Sequence, residues 1–395
     1  MINKTIWIIN EYAGSPYHGM EFRHYYLGKE FIKLGYNVTI ISSRYSHLFK
    51  NLPLKGKEII DGIKYIWLKT INYGNAHNKK RVLKWFIFMF KCFFLPFKLK
   101  KPDIIIVSPI APFPILPACV LSKFYKAKLI FEVKDIWPLT LIEIGGYSKN
   151  QPFIKLMSWF EKFALKKSDI IVSNLPNYGE YLKDIKINRD FFWISNGVDL
   201  DEINQIEPLS ENILNKIPKN KFIVGYIGTI GVANALDSFL KSMEYISNKN
   251  IVFVLIGDGQ EKKKLSKIFI HPNIIFIESI LKKQVQSALS FFDVCFIGWK
   301  KKDLYKYGTS ANKIFDYMYS VKPILHSINT KDDLIVKAKC GISVEAENPK
   351  AIAEGILNFY NMSKEEREKM GQNGKRYLLA HFTYEKLAKK YIELF

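Results

Sequence analysis

Short runs rich in β-branched and aromatic residues alternate with helix-period stretches from one end of this chain to the other. Six runs fall at residues 5–10, 37–43, 63–68, 103–108, 128–133 and 169–173, and five more at 222–228, 251–257, 273–277, 293–298 and 323–326. Several are nearly unbroken apolar segments, the pattern of parallel strands buried on both faces rather than of a half-solvated sheet. Amphipathic stretches fill the gaps: Leu27, Phe31 and Leu34 form one stripe at i, i+4, i+7, which stops at Gly35. The strand–helix unit of a doubly wound sheet is thus repeated twice over, predicting two α/β domains. The rhythm breaks near Ser195-Asn196-Gly197 and resumes after a polar stretch ending at Asn220, and a charged, helical segment from Ser363 closes the chain.

One stretch departs from the sheet rhythm. Residues 79–102 carry eight basic side chains, no acid and an aromatic-rich centre at 85–97. The apolar run is interrupted by Lys91, broken by Pro96, and shorter than the roughly 20 residues a bilayer requires. Lysines flanking Trp and Phe predict a segment lying in the plane of a membrane surface. The competing reading is a helix packed on its own sheet, its lysines reaching outward.

Charge narrows the partners. The 395 residues carry a formal net charge of +22, yet only six of the 59 basic residues are Arg. Base-reading surfaces favour Arg forks, so this balance points to general attraction for polyanions, anionic lipids or phosphorylated substrates. It equally fits a Lys-rich genomic composition. The four cysteines, Cys92, Cys119, Cys295 and Cys340, sit in apolar stretches with no paired spacing, as free thiols in a reducing compartment do. Neither they nor the seven histidines form a metal-ligand cluster. The first apolar run is too short for a signal peptide and reads as a strand, so the expected location is the cytoplasm.

The richest functional signal lies at residues 307–323. It predicts a Gly-Thr-Ser loop, then a helix with Ser310, Asn312 and Lys313 in its first turn and Asp316 one turn on. Unpaired N–H groups at a helix N-terminus, a mobile cation and Gly308 suit a phosphate, and a carboxylate at Asp316 suits sugar hydroxyls. Together they describe a nucleotide-sugar. The plainer alternative is that Ser310 caps a helix packed by Ile314, Phe315 and Met318. Glycine turns follow the first strand of each half: residues 11–23 include Gly14 and Gly19, and residues 228–231 read Gly-Thr-Ile-Gly. Neither is a GxGxxG fingerprint, and Gly257-Asp258-Gly259 after a further strand is equally weak alone.

Taken in order, three motifs carry a resemblance: Gly225-Tyr-Ile-Gly228-Thr-Ile-Gly231, Leu255-Ile-Gly257-Asp258-Gly259, and Gly308-Thr-Ser-Ala-Asn-Lys-Ile-Phe-Asp316-Tyr-Met. The second half resembles the nucleotide-sugar domain of the family-4 retaining glycosyltransferases, and residues 11–23, 131–138 and 196–199 extend the likeness over almost the whole chain. The nearest subgroup adds N-acetylated amino sugars, such as N-acetylfucosamine, in bacterial surface-polysaccharide assembly. The resemblance implies the GT-B fold: two Rossmann-like doubly wound domains facing a cleft, with C-terminal helices crossing back to the first. It implies an acceptor-binding domain at 1–195, a nucleotide-sugar domain at 196–375 and a helix at 376–395 packing on the first domain. Donor contacts would come from Gly19, Arg23, Gly228, Thr229, Gly231, Gly257, Gly259, Gly308, Thr309, Ser310, Asn312 and Asp316, with Lys134, Asp135 and Lys313 as catalytic residues. Asp316 would hold the ribose, and the Gly19 loop would close over the phosphates.

Two departures stand out. The family has two acids eight residues apart around the last motif, and Gly308 occupies the first place. No cation follows the turn at 228–231, leaving Lys313 as the diphosphate partner; a His-acid pair in the first domain is replaced by Lys134-Asp135. Asp199-Leu200-Asp201 matches a metal-binding signature, but it follows an Asn-Gly turn rather than a nucleotide-binding strand and reads as incidental, so a metal-independent enzyme with a UDP-sugar donor is expected. The expected acceptor is a polyprenyl-diphosphate-linked glycan, met on the inner face of the cytoplasmic membrane through residues 79–102, with no nucleic acid involved. The alternatives are a UDP-sugar 2-epimerase of the same architecture and a polyanion-binding protein.

Overall fold

The computed structural model describes residues 4–19, 21–74 and 78–395. The chain forms two compact units: residues up to Ser195 together with Tyr384–Phe395, and Asn196–Thr383.

The first unit is built on β1 (Thr5–Ile9), β2 (Asn37–Ser43), β3 (Lys57–Ile60), β4 (Ile63–Leu68), β5 (Ile104–Val107), β6 (Lys128–Val133), β7 (Ile170–Ser173) and β8 (Phe192–Trp193). They lie in the order β3-β4-β2-β1-β5-β6-β7-β8. β3 and β4 form an antiparallel hairpin at one edge, and the other pairs are parallel. Ile8 stands opposite Ile40 on one side and Ile106 on the other. The second unit has β9 (Phe222–Ile227), β10 (Ile251–Ile256), β11 (Ile274–Ile277), β12 (Val294–Gly298), β13 (Ile324–Ser327) and β14 (Gly341–Val344). Its order is β11-β10-β9-β12-β13-β14, all parallel. Phe239 stacks between Phe253 and Phe296, with ring centroids 4.3 and 4.1 Å away, and centres this core. In each sheet the winding direction reverses beside the first strand, between β1 and β5 and between β9 and β12. Ligands of open α/β sheets settle at the carboxyl end of such a reversal.

The eleven expected strands are all present, and β3, β8 and β14 are additional. Every residue of β9 and β10 is buried, so their apolar runs are unambiguous. β3 is a mostly exposed edge strand and β14 is only partly buried, so neither carries that signature. The helix Lys364–His381 opens with a capping box, Ser363 with Glu366, and runs unbroken in the second unit. The expected segment 376–395 is therefore divided. Residues 376–381 continue this helix, and only the helix Tyr384–Ile392 groups with the first unit, where Tyr384 and Tyr391 pack against Tyr26 and Phe31 of α1 (Arg23–Lys33).

Residues 79–102 bury one part of their apolar surface and expose another. Helix α2 (Lys80–Cys92) buries Trp85, Phe88, Met89 and Cys92, while Leu83, Phe90, Phe94 and Phe97 are exposed. Lys84 contradicts the outward-reaching lysines: it is wholly buried, its ammonium 3.9 Å from the centroid of the Tyr12 ring. No helix among the described residues is long and apolar enough to cross a membrane.

Candidate functional site

At the carboxyl edge of the second sheet two glycine turns interlock. The N–H of Gly228, just past β9, donates to the Ile256 carbonyl at 3.0 Å, and that of Ile230 donates to the Asp258 carbonyl at 2.8 Å. Gly257, at φ +153°, lies so close to its neighbour that a Cβ there would stand 2.0 Å from the Gly228 oxygen. A Cβ on Gly259 would stand 2.4 Å from the Ile230 oxygen. Chain packing alone thus demands both glycines. Gly231 differs: its φ of −124° is ordinary, and a Cβ there would meet nothing nearer than Thr229 Cγ2 at 3.7 Å. Nothing among the described residues requires glycine at that position.

The helix Asn312–Tyr319 aims at these turns. It starts two residues later than Ser310, with Ala311 at the N-cap and no side-chain cap, so Ser310 is neither in the first turn nor the cap. Ser310 Oγ instead accepts the Asn196 N–H at 2.9 Å, and Asn196 Nδ2 donates to the Ser310 carbonyl at 2.6 Å. Thr309 is partly buried beside it, Asn312 is exposed, and Gly308 takes a left-handed φ of +89°. The Tyr317 hydroxyl receives the Ile227 N–H at 2.8 Å and ties the helix to β9.

Lys313 crosses from this helix toward Gly228. Its ammonium donates to the Tyr226 hydroxyl at 2.7 Å and to Asn234 Oδ1 at 2.9 Å, and the Tyr226 hydroxyl in turn donates a hydrogen bond to the Thr229 carbonyl at 2.6 Å. Both partners are neutral. Burial pushes the lysine pKa down to about 7, and among the described residues no carboxylate pairs with it. One turn on, Asp316 is already engaged: Lys282 donates to its two oxygens at 2.5 and 2.7 Å. Gly228, Thr229, Gly231, Gly257, Gly259, Gly308, Thr309, Ser310, Asn312, Lys313 and Asp316 are thus carried by neighbouring turns and one helix of one unit.

The first unit holds the remaining expected residues, and Arg23 is corrected there. Its guanidinium is buried and donates to Glu132 Oε1 at 3.0 and 2.8 Å and to the carbonyls of Ile194 and Ser195 at 2.7 and 2.5 Å. It clamps the fold rather than offering a cation to a donor. Glu132 also accepts from His24 Nε2 at 2.7 Å and from the Tyr391 hydroxyl. Asn10 Nδ2 donates to His24 Nδ1 at 3.1 Å, so the ring is the neutral Nε2–H tautomer, consistent with burial lowering its pKa. Burial alone would raise Glu132, but Arg23 and His24 hold it well below the usual carboxylate range. Lys134 is also committed, donating to Glu21 at 2.6 Å, whereas Asp135 is exposed. Gly19 is pinned by an antiparallel bridge to Phe49. Asp199 accepts the Glu202 N–H at 2.9 Å as a helix cap. Among the described residues no three His, Cys, Asp or Glu side chains gather as metal ligands would.

Several residues of these edges escape sequence reading. Tyr226 and Asn234 sit inside or beside the second-half motif, but only the fold turns them toward Lys313. Asn196 was visible in its Asn-Gly-Val-Asp motif, without its partner. Glu11 follows β1 as a wholly buried carboxylate with no hydrogen-bond partner among the described residues, and burial pushes it up to about 7 despite attraction from Lys84.

Comparison with known proteins agrees with this geometry. Residues 17–202 match Glycosyltransferase Family 4, and residues 221–362 match Glycosyl transferases group 1. A glycosyltransferase of Methanocaldococcus jannaschii is 23% identical over 293 residues, 69% of this chain and 70% of that protein. The capsular polysaccharide biosynthesis glycosyltransferase CapM of Staphylococcus aureus is 25% identical over 217 residues; the match spans about half of that protein, 53% of each chain. Sucrose-phosphate synthase from Thermosynechococcus elongatus superposes with a TM-score of 0.76 at 15% identity, covering 99% of this chain and 98% of that one. Anabaena HepE, solved in complex with UDP-glucose, superposes at 0.66 with 10% identity over 99% and 98%. The chain is a glycosyltransferase with the GT-B fold, its first part matching family 4 and its second part group 1.

Proposed function

We propose that the enzyme transfers an acetamido-hexose from a UDP-sugar to a polyprenyl-diphosphate-linked glycan, with retention of anomeric configuration and without a metal ion, in surface-polysaccharide assembly on the inner face of the cytoplasmic membrane. One observation carries the donor side: a partly buried ammonium, Lys313, has only neutral partners among the described residues where two glycine turns meet at the sheet's reversal point. A diphosphate is the counter-charge that this position lacks. The leaving UDP gathers negative charge during transfer, and a fixed cation with N–H groups around Thr229–Gly231 stabilises it most in the transition state. Asp316 then takes the ribose hydroxyls. In the first unit, exposed Asp135 rather than ion-paired Lys134 is the group available to substrate.

Two relatives support parts of this reading. HepE is a UDP-glucose-binding neighbour and CapM is a capsular polysaccharide enzyme. Both matched families are transferases, which favours transfer over epimerisation. The test is a donor screen with UDP-GlcNAc, UDP-GalNAc, UDP-N-acetylfucosamine and GDP-sugars, read by thermal shift and nucleotide release. UDP-sugars should stabilise the protein and release UDP only when an acceptor is present, with chelator making no difference. Stabilisation by GDP-sugars alone would remove the donor assignment, and an epimer formed from UDP-HexNAc without acceptor would replace transfer with isomerisation.

A further inference from the structure

The β4 side of the first sheet holds a hollow of about 290 Å³ walled by Arg44, Lys57, Lys69, Lys91 and Lys98, with Leu68 among its apolar residues and no Asp or Glu. Lys91 lies on α2 and Lys98 just beyond it, so the basic segment closes a cavity begun by the strands. Arg44 is fixed in the wall by donating to the Pro53 carbonyl at 2.9 Å and to the Leu54 carbonyl. The four lysines form no ion pair among the described residues. Elsewhere on the surface Lys216, Lys282, Lys300 and Lys301 each hold a carboxylate, as the four of the hollow do not. Convergent, unneutralised cations around a concavity favour a multiply charged anion.

The neighbouring side chains say which anion. Phe90 and Phe97, next in sequence to Lys91 and Lys98, are 58% and 84% exposed, and Phe94 between them is 57% exposed. A soluble polyanion would satisfy the lysines and leave three phenylalanines in water. A nucleic acid would call for free Arg forks, and the one Arg here is spent on carbonyls. A lipid–water boundary supplies phosphate and hydrocarbon together.

We propose that this hollow seats the phosphate headgroup of an anionic lipid while Phe90, Phe94 and Phe97 enter the acyl boundary. The inference deepens the membrane location proposed above. It is tested by sedimenting the full chain with phosphatidylcholine vesicles, with and without phosphatidylglycerol, and titrating inorganic pyrophosphate as a soluble competitor. The double variant Lys91→Gln/Lys98→Gln should bind phosphatidylglycerol vesicles about thirty-fold more weakly, each lysine near an anionic surface being worth about 1 kcal/mol. The control Lys100→Gln/Lys101→Gln removes the same charge from the same segment outside the hollow and should bind almost as the parent does. Pyrophosphate should displace the parent from vesicles. Equal weakening by both pairs would replace the site with diffuse attraction and overturn the proposal. Absence of vesicle binding would overturn it too, even if pyrophosphate bound the parent and not the hollow variant, since the lipid would then be the wrong source. UDP binding, measured on the same variants, reports the second unit and separates failure of the hollow from failure of the transferase reading.

Discussion

The carboxyl edges of the two sheets share one topology and end in opposite electrostatic states. At the first, Glu132 gathers Arg23, His24 and the Tyr391 hydroxyl, joining β6, α1 and the terminal helix through one buried carboxylate. At the second, Lys313 rests on a phenol and an amide, with no opposing carboxylate among the described residues. A buried ion with its partners in place is architecture, because removing one partner strands the other. A buried ion without a counter-charge lowers its own pKa until a ligand restores the balance. The first edge keeps an imbalance of its own, Glu11 and Lys84, both wholly buried and without a hydrogen-bond partner among the described residues. They oppose each other in sign, so that imbalance is internal.

The comparison breaks most readily at Glu132. Glu132→Gln leaves Arg23 buried against a neutral group and should cost about 3–5 kcal/mol of stability, measured as a shifted urea midpoint. UDP affinity should be unchanged. The parent carries the matching pH signature: Glu132 is depressed in the folded chain, so its contribution is present above the ordinary carboxylate pKa and is lost as pH falls below it.

Lys313→Met should do the reverse. Turnover should fall by roughly 2.7–4 kcal/mol in transition-state free energy, about a hundred- to a thousand-fold, while the thermal midpoint holds or rises. The sign follows from burial: the folded lysine is depressed to about 7 and the unfolded one is not, so at neutral pH folding works against its proton. Near-normal turnover would take Lys313 out of the site.

A milder probe is pH. UDP-GlcNAc binding should be nearly constant below pH 7, where Lys313 is already charged, and weaken above it because binding must then take up a proton. The limiting slope is about tenfold per pH unit, or roughly 1.4 kcal/mol. Isothermal titration in buffers of different ionisation enthalpy would count that proton, and Lys313→Met should abolish the uptake.

Which features the sequence reveals follows from range. Strands buried on both faces announce themselves locally, and so do ordered glycine turns. The meaning of a charge does not. Arg23 reads as a ligand-facing cation until its counter-ion is found 109 positions away at Glu132. Lys313 reads the same way, and only partners 87 and 79 positions away, both neutral, set it apart. Ser310 was misplaced for a similar reason: Asn196, 114 residues earlier, holds the loop where a helix cap was expected. The boundary at 376 failed because a helix that runs unbroken to His381 gives no local sign of where the chain changes units.

Gly231→Ala sharpens the comparison without touching charge. The backbone there is ordinary and the space beside it open, so folding should be unaffected or slightly favoured, by about 0.4–1 kcal/mol at most. If a diphosphate approaches that turn, the added methyl should still weaken UDP binding; unchanged binding would move the phosphates elsewhere.

The smallest expected effect concerns Lys282. It is half exposed and holds Asp316, so on the proposed donor reading a ribose would have to displace it. Partly exposed pairs contribute about 0–1 kcal/mol, so Lys282→Gln should strengthen UDP binding by up to about five-fold, by freeing the carboxylate. Asp316→Asn should weaken it, since an amide accepts a hydroxyl hydrogen bond less strongly than an ion. If instead Lys282→Gln weakened binding, the lysine would be a second cation for the diphosphate. The second edge would then carry two ligand-directed charges, and the contrast with the first would widen.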